Sequence, residues 1–392
     1  MRSDRASSRT ASIEKIPLLD LHRQYQSIRE EVLAAITRVC DSQIFILGPE
    51  VEALEREIAA MTGAAAAVGC ASGTEALWLA IVAAGVKPGD AVITSAFSFF
   101  ASASAIVRAG ATPVLLDVEP GTLNLDADKT EQHLRAHPSA KVRAILPVHL
   151  YGQCADMDAF ARISAEFNVP LIEDAAQAIG AEWRGRRAGS LGLAAAFSFY
   201  PTKNLSAYGE AGIVTTTDPG AAQHMRQLRN HGSPRRYYHD EFGWNGRMDA
   251  IQGAVLRVKL AHIEEWNRKR RSHADAYDRL FAAAGLSGDQ APMQLLARTA
   301  QAQHVFHQYV IRAQRREELR KFLAERNIGS EVYYPLPLHL QPVFSYLRMK
   351  AGDLPVAERA AGEVLALPMF PELTEAEIGW VVTSIADFYS SF

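Results

Sequence analysis

The chain has 392 residues, of which 48% are hydrophobic and 22% are charged, which is typical of a folded chain with room for two domains and excludes a disordered one. Its 41 Lys and Arg nearly balance its 44 Asp and Glu, so the net charge gives no reason to expect a nucleic acid partner. The three cysteines, Cys40, Cys70 and Cys154, are widely spaced outside any CxxC pattern, which argues against a disulfide framework and a metal site.

Residues 1–15 are predicted to form a flexible tail, because this segment is charged and polar. It lacks the apolar stretch of a signal peptide, and no apolar run in the chain reaches the roughly 18 residues that a membrane span needs. We therefore expect a cytoplasmic protein with no membrane partner. After the tail, "REEVLAAITRVC" and "PEVEALEREIAAMTG" have apolar residues at helical spacing and predict two helices.

From residue 64 onward, short apolar runs alternate with stretches of helical pattern. The seven runs that predict strands are "AAAAVGC", "AVIT", "TPVLLDV", "VRAILPV", "VPLIED", "AAAFSFY" and "GIVTTT". Because connections of this length suit crossover helices, the pattern predicts an α/β domain with a large, mainly parallel sheet covered on both faces. We assign residues 16–240 to this domain.

The alternating pattern ends near residue 235. Residues 247–285 are predicted to form one long helix, with apolar positions at Met248, Ile251 and Val255, that links two domains. Beyond it, "VFHQYVIRA", "RREELRKFLAERNIG" and "TEAEIGWVVTSIADFY" indicate a smaller α/β domain. Residues 241–392 are therefore assigned to the linking helix and the small domain.

Polar residues follow three of the predicted strands. Ser72-Gly73-Thr74 lies between a strand and a helix, where free backbone N–H groups can bind a phosphate, although an ordinary helix N-cap explains the same residues. Asp174 ends a strand that reads as buried, so it needs a cationic or hydrogen-bonding partner, or it caps a helix. Gln177 would lie on the same side of a helical turn.

Lys203 follows the sixth strand, 29 residues after Asp174. A surface lysine pointing into water is the ordinary explanation for such a residue. However, the carboxyl ends of parallel strands meet at one edge of a sheet, so we expect the lysine, the carboxylate and the phosphate seat to lie close together. An amine, an acid facing a ring nitrogen and a phosphate seat are what pyridoxal 5′-phosphate (PLP) requires of a protein.

Several segments of the chain resemble the DegT/DnrJ/EryC1/StrS family of PLP-dependent nucleotide-sugar aminotransferases. They are "SGTEAL", "LPVHLYGQCADMD", "EDAAQAIGA", "SFYPTKNLSAYGEAG", "NGRMDAIQGAVLRVKL" and "YYPLPLHLQPVF", and the resemblance covers about residues 16–390. It implies the aspartate-aminotransferase-like fold, PLP fold type I, in a homodimer whose active sites are built from both subunits.

The resemblance implies that Lys203 binds the cofactor covalently and acts as the catalytic acid and base, while Asp174 faces the pyridine nitrogen. Other matching positions imply cofactor contacts: Gln177 beside the phenolic oxygen, Phe99 stacked on the ring, Gly73, Thr74 and Ser198 around the phosphate, and Asn245 on the phosphate of the neighbouring subunit. Asn245 capping the following helix is the alternative.

Two further positions are candidates for substrate binding. His307 matches a position that is often histidine near the sugar-nucleotide site, whereas Tyr333 stands where the family often has histidine. We expect His149, Tyr334 and His339 to pack or to satisfy backbone groups instead. A structural role of this kind is also the alternative for Arg247.

The resemblance thus implies transfer of an amino group from an amino acid, with L-glutamate the expected donor, to a keto carbon of a dTDP- or UDP-linked sugar. Within the family, "YPTKNLSAYGEAG" resembles the enzymes that act at the 3-keto carbon more than those that act at the 4-keto carbon, and the cofactor would cycle through pyridoxamine 5′-phosphate (PMP). One alternative is a PMP-dependent sugar dehydratase of the same fold, against which Lys203 argues because those relatives carry histidine there. The other alternative is a non-catalytic regulatory or sensor protein.

Overall fold

A computed structural model of the chain describes residues 15–288 and 291–391. The predicted tail thus lies outside the described residues, apart from residue 15. The helices are α1 (Leu21–Ser42), α2 (Gly48–Thr62), α3 (Gly73–Ala83), α4 (Ala101–Arg108), α5 (Ala127–Ala136), α6 (Met157–Phe167), α7 (Pro219–Leu228), α8 (Ala250–Leu260), α9 (Ile263–Ala283), α10 (Arg316–Glu325), α11 (Pro355–Glu363) and α12 (Glu375–Ser390). The strands are β1 (Ala66–Cys70), β2 (Ala91–Ser95), β3 (Thr112–Leu116), β4 (Val142–Leu146), β5 (Ile172–Asp174), β6 (Glu182–Trp183), β7 (Arg186–Arg187), β8 (Ala194–Ser198), β9 (Gly212–Thr216), β10 (Met293–Leu295), β11 (Ala302–Gln303), β12 (Tyr309–Ala313) and β13 (Val364–Leu367).

The large sheet contains all seven predicted strands. Two runs of paired strands, β1-β9-β8-β5 and β4-β2-β3, meet where Ile145 bridges Leu171 and Val148 bridges Asp174, both in the parallel sense. The spatial order is therefore β1-β9-β8-β5-β4-β2-β3. Only β9 runs antiparallel to its neighbours in this sheet. The predicted large, mainly parallel sheet is confirmed.

Helices cover both faces of this sheet because successive side chains of each strand point to opposite faces. On β2, Val92 packs in a cluster with α3, α4 and α7, while the next residue, Ile93, packs in a cluster with α2, α6 and α8. Burial on both faces explains why these strands read as nearly continuous apolar runs.

The C-terminal part of the chain has its own antiparallel sheet, β10-β12-β13. Its strands pack with α9, α10 and α12 in a separate apolar cluster that includes Tyr277, Leu323 and Val381. Ile16, from the start of the described chain, pairs with Ile328 in this part of the molecule. The boundary between residues 240 and 241 stays a prediction.

The prediction of a single long helix over residues 247–285 is wrong. The segment forms two helices, because α8 ends at Leu260 and α9 begins at Ile263. Each helix has a different packing partner: α8 packs against α2, where Gly253 lies beside Val51, whereas α9 contributes Tyr277 to the C-terminal cluster. Since neither Gly nor Pro occurs between them, local sequence gives no sign of the break.

No helix within residues 15–288 and 291–391 is both long enough and apolar enough to cross a membrane.

Candidate active site

A cavity of about 750 Å³ opens at the carboxyl edge of the large sheet. Asp174 at the end of β5 and Lys203 after β8 both line it, as does the start of α3 after β1. Nine of the ten predicted site residues line this cavity: Gly73, Thr74, Phe99, Asp174, Gln177, Ser198, Lys203, His307 and Tyr333. The sheet topology therefore brings together residues that lie more than 200 positions apart in sequence.

The start of α3 has the geometry of an anion seat. Ser72 is the N-cap, and its Oγ accepts a hydrogen bond from the backbone N–H of Glu75 at 3.1 Å. No hydrogen bond within the described part of the chain uses the N–H groups of Gly73 and Thr74, which lie at the positive end of the helix dipole. A Cβ atom on Gly73 would lie 2.5 Å from the Cβ of Ser198, so only glycine permits this close approach.

Asp174 is a buried carboxylate held from two sides. The Oγ of Ser102 donates to Oδ2 at 2.6 Å, and the backbone N–H of Ala176 donates to Oδ1 at 3.2 Å. Burial raises the pKa of Asp174, while these hydrogen bonds and the charge of Lys203 oppose that shift. A cationic group that bound in the cavity beside Asp174 would stabilise its charged form.

Lys203 lies in the turn that follows β8. Its backbone N–H donates to the carbonyl of Tyr200 at 2.8 Å, which fixes the start of the turn. Burial lowers the pKa of Lys203 to about 8, and the charge of Asp174 acts in the opposite direction. The alternative of a surface lysine pointing into water is therefore excluded, because Lys203 lines a cavity.

Aromatic and amide side chains form another wall of the cavity. Gln177 accepts the backbone N–H of Tyr151 at 2.6 Å and donates to the hydroxyl of Tyr334 at 3.0 Å. The ring of Tyr334 lies 6.1 Å from the ring of Phe99. Tyr334 packs as expected, but it also lines the cavity, which the sequence did not indicate.

Asn245 is the predicted site residue that lies outside this cavity. It is exposed and lines a second pocket of about 420 Å³ with Arg247 and Gln252, and Glu210 lines both spaces. Asn245 does not cap the next helix, since α8 begins at Ala250 and its N-cap residue is Asp249.

Other polar residues have structural partners, as expected. The Nε2 of His149 lies 3.0 Å from a carboxylate oxygen of Glu173, and the Nε2 of His339 lies 3.0 Å from Glu358. Arg247 donates to the side chain of Asn230 at 3.1 Å.

The comparisons with known proteins identify the family. The model of the DegT/DnrJ/EryC1/StrS aminotransferase family matches residues 26–386. The chain belongs to this family. A "pleiotropic regulatory protein" of Geobacillus stearothermophilus is 49% identical to it over 96% of this chain and 99% of the relative.

A further relative and a solved structure have names that describe chemistry. A dTDP-3-amino-3,4,6-trideoxy-alpha-D-glucose transaminase of Streptomyces venezuelae is 41% identical over 97% of this chain and 98% of the relative. The crystal structure of S. venezuelae DesV in complex with a ketimine intermediate superposes with a TM-score of 0.91 at 41% identity, covering 95% of this chain and 98% of that chain. Fold type I is thereby confirmed.

This family member is a PLP-dependent aminotransferase, and a similar solved structure from Bacillus subtilis, 28% identical to this chain, contains bound PMP. The residues of the cavity fit that cofactor. The free N–H groups at the start of α3 and the absence of a side chain on Gly73 suit a phosphate, and a carboxylate suits a protonated ring nitrogen. When bound, the cofactor would act as an electron sink for the electrons of the bond that breaks at the substrate carbon.

Sequence reasoning missed some residues that the family fold brings to the cavity. Ser102 donates to Asp174, and Tyr200, Thr202, Glu210 and Gln308 line the cavity wall. Ser102 had one local signal, because it lies only four residues after Ser98, and the loop that leads into α4 brings their hydroxyls to 2.8 Å. The others have no signal in local sequence.

Proposed function

We propose that the enzyme transfers an amino group from L-glutamate to the 3-keto carbon of a dTDP- or UDP-linked sugar in amino-sugar biosynthesis. The observation that carries this proposal is the cavity in which a partly neutral Lys203 lies with the buried carboxylate of Asp174 and a phosphate seat. The 3-amino sugar in the name of the S. venezuelae relative supports the 3-keto position.

Lys203 and Asp174 have the catalytic roles. Lys203 holds the cofactor between turnovers and, once released, moves a proton to and from the substrate carbon. A pKa of about 8 lets its amine accept and return that proton near neutral pH. Asp174 holds the ring nitrogen of the cofactor protonated, since a carboxylate within hydrogen-bond distance stabilises the cation.

The remaining site residues position the cofactor and the sugar. Gly73, Thr74 and Ser198 surround the phosphate, because their N–H and O–H groups line one end of the cavity. Further positioning roles belong to Phe99 stacked on the ring, Gln177 near the phenolic oxygen, and His307 and Tyr333 against the sugar.

The catalytic unit is a homodimer, and Asn245 acts on the phosphate bound by the neighbouring subunit. Its exposure outside its own cavity supports this part of the proposal. Within eight residues of it in the sequence, Tyr237, Phe242 and Trp244 are 80%, 94% and 53% exposed. Large exposed aromatic residues in one short segment favour burial against another protein surface.

A mixing experiment tests the shared site. Lys203→Ala and Asn245→Ala enzymes are each expected to be impaired when assayed alone. If Asn245 acts on the site of the neighbouring subunit, a mixed dimer has one site that carries both changes and one site that carries neither. Random exchange at equal concentrations should therefore restore about a quarter of wild-type activity, since roughly half of the dimers are mixed and half of their sites are intact. No recovery, with exchange verified by mass, would place Asn245 in its own subunit.

The reaction is tested with a panel of substrates. The pure enzyme is incubated with L-glutamate and with 3-keto and 4-keto sugars linked to dTDP or UDP, and the products are analysed by mass and NMR. An amino group at C3 is expected. Amination at C4 would correct the position, and an inactive panel would reject the substrate class.

A regulatory role without catalysis is the second candidate, because a 49% identical relative is named a pleiotropic regulatory protein. Two cavity residues whose pKa values are shifted by their surroundings, Lys203 and Asp174, favour catalysis over this alternative. The same panel separates the two, since a sensor would bind a sugar nucleotide without releasing an aminated product.

A further inference from the structure

Three buried side chains form a hydrogen-bonded chain that ends at the cavity. Asn267 lies on α9, Asn204 directly follows Lys203, and His307 lies just before β12. Asn267 contacts Asn204, and Asn204 contacts His307. The chain therefore connects a helix outside the cavity with a residue that lines it.

Two backbone carbonyls fix the direction of this chain. The Nδ2 of Asn267 donates to the carbonyl of Ile179 at 3.0 Å, so its Oδ1 is left to accept from Asn204 at 2.8 Å. The Nδ2 of Asn204 also donates to the carbonyl of Val305 at 3.1 Å. Because a carbonyl can only accept, neither amide can be turned over, and the Oδ1 of Asn204 must face Nδ1 of His307, 3.2 Å away.

This direction determines the tautomer of His307. An amide oxygen requires a donor, so Nδ1 carries the hydrogen and a neutral ring then has its lone pair on Nε2. Among the residues that the structure describes, none forms a hydrogen bond with Nε2, and His307 lines the cavity. The ring thus offers an acceptor to whatever binds there.

The surroundings of His307 keep its ring neutral. Burial lowers the pKa of His307 well below its usual range, and the charged or titratable groups that face it, Lys203, Arg270 and His304, act in the same direction. An amide oxygen, unlike a carboxylate, gives an imidazolium no compensating charge. His307 is therefore not the group that carries a proton in this part of the cavity.

We propose that Asn204 and Asn267 are positioning residues that hold His307 as the neutral Nδ1–H tautomer, so that Nε2 accepts a hydrogen bond from an O–H or N–H group of the bound substrate. The hydrogen on Nδ1 follows from the hydrogen bonds and the neutral state from burial beside cations, whereas the role in substrate binding rests on the proposed function. The arrangement selects a substrate with a donor at this point and leaves Lys203 as the proton carrier.

The tautomer can be measured in the wild-type holoenzyme. Protein labelled with ¹⁵N at histidine gives long-range N–H correlations that separate protonated from unprotonated ring nitrogens, and His307→Gln assigns the signals by their loss. We expect Nδ1 protonated and Nε2 unprotonated, unchanged between about pH 6 and pH 8, where an ordinary histidine titrates. An Nε2–H tautomer, or a titration in that range, would overturn the proposal.

A pair of variants tests the role of the amide. Asn204→Asp places a carboxylate against Nδ1 and should raise the pKa of His307 by roughly 1–3 units in the same spectra. Asn267→Asp is the matched control, because it adds the same charge while Asn204 still separates that charge from the ring. Equal shifts in both variants, or none in Asn204→Asp, would contradict a relay through Asn204.

Kinetics separates positioning from simple loop anchoring. Asn204→Leu should raise KM for the sugar by up to about tenfold, because this factor corresponds to the free energy of one hydrogen bond. The changes in kcat and in KM for the amino donor should be smaller. Equal loss with both substrates would indicate only a damaged loop and would reject the proposal. If no ketosugar reacts but the spectra show Nδ1–H, the proposed function fails and the tautomer assignment stands.

Discussion

Lys203, which is partly buried, and Lys259, which is fully buried, lie in the same part of the molecule, and burial lowers the pKa of each to about 8. Lys259 lies near the end of α8, is 2% exposed, donates to the hydroxyl of Ser206 at 2.8 Å and lies 4.5 Å from the centre of the Tyr208 ring. Among the described residues, no carboxylate forms an ion pair with it.

The difference between the two lysines lies in what surrounds the amine. Lys203 lines the cavity that also contains Asp174, while Lys259 is enclosed and holds the loop that follows Lys203. A lowered pKa alone therefore does not identify a catalytic lysine, since both residues have one. Access to a cavity with a carboxylate and a phosphate seat distinguishes Lys203.

Replacing Lys203 should have the largest effect of any change at the site. Lys203→Ala removes both the covalent link to the cofactor and the proton carrier, so transamination should fall by several orders of magnitude. The variant should still bind the cofactor non-covalently. Steady-state assays with the ketosugar measure the loss of transamination. Lys259→Met is the matched control, because it also removes a lysine whose pKa is lowered. Equal losses of activity in both variants would reject the claim that only Lys203 is catalytic.

Asp174→Asn should have the next largest effect. The change preserves shape but removes the charge that holds the ring nitrogen protonated, and such a charge is worth roughly 1–3 pKa units. We expect kcat to fall by about 10- to 1000-fold, while thermal unfolding changes little. Turnover near the wild-type rate would show that Asp174 has only a structural role.

Gly73→Ala should weaken cofactor binding. The new Cβ would lie 2.5 Å from that of Ser198, so the start of α3 must shift away from the phosphate. We expect the dissociation constant for PLP to rise at least tenfold in equilibrium titrations. Gly362→Ala is a suitable control, because a Cβ there meets nothing within 4 Å; similar affinities in both variants would contradict the assigned seat.

The smallest predicted effect concerns the stability contribution of Lys259. Its pKa of about 8 in the folded protein lies below the ordinary value of 10.5, so the unfolded chain binds more protons between these values. The free energy of unfolding should therefore rise with pH across this window, by up to about 1.4 kcal/mol per unit from this residue. Denaturant titrations of the holoenzyme should show a weaker rise in Lys259→Met; identical slopes would contradict burial of the charged amine.

Much of the fold was predictable because its signals are local. Each of the seven strands of the large sheet is an apolar run bounded by polar or turn residues, and the three polar strand ends follow from the same pattern. The short strands β6, β7 and β11 were not predicted, since two residues form no recognisable period.

The contacts that complete the site depend on tertiary structure. Ser102 meets Asp174 across 72 positions of sequence, and Asn204 meets Asn267 across 63, so neither pair has a local pattern. The break between α8 and α9 also follows from packing against different partners. Local sequence therefore located the proposed reacting groups, Lys203 and Asp174, but not the residues that orient them.

Reduction of the holoenzyme with borohydride, followed by peptide mapping, tests the central claim most directly, because it fixes the cofactor to the lysine that holds it. Burial lowers the pKa of both candidate amines to about 8, so the chemistry of the amine alone does not decide the outcome. We predict that the labelled peptide contains Lys203 and that the peptide with Lys259 carries no label. A label on Lys259, or on any lysine other than Lys203, would contradict the account.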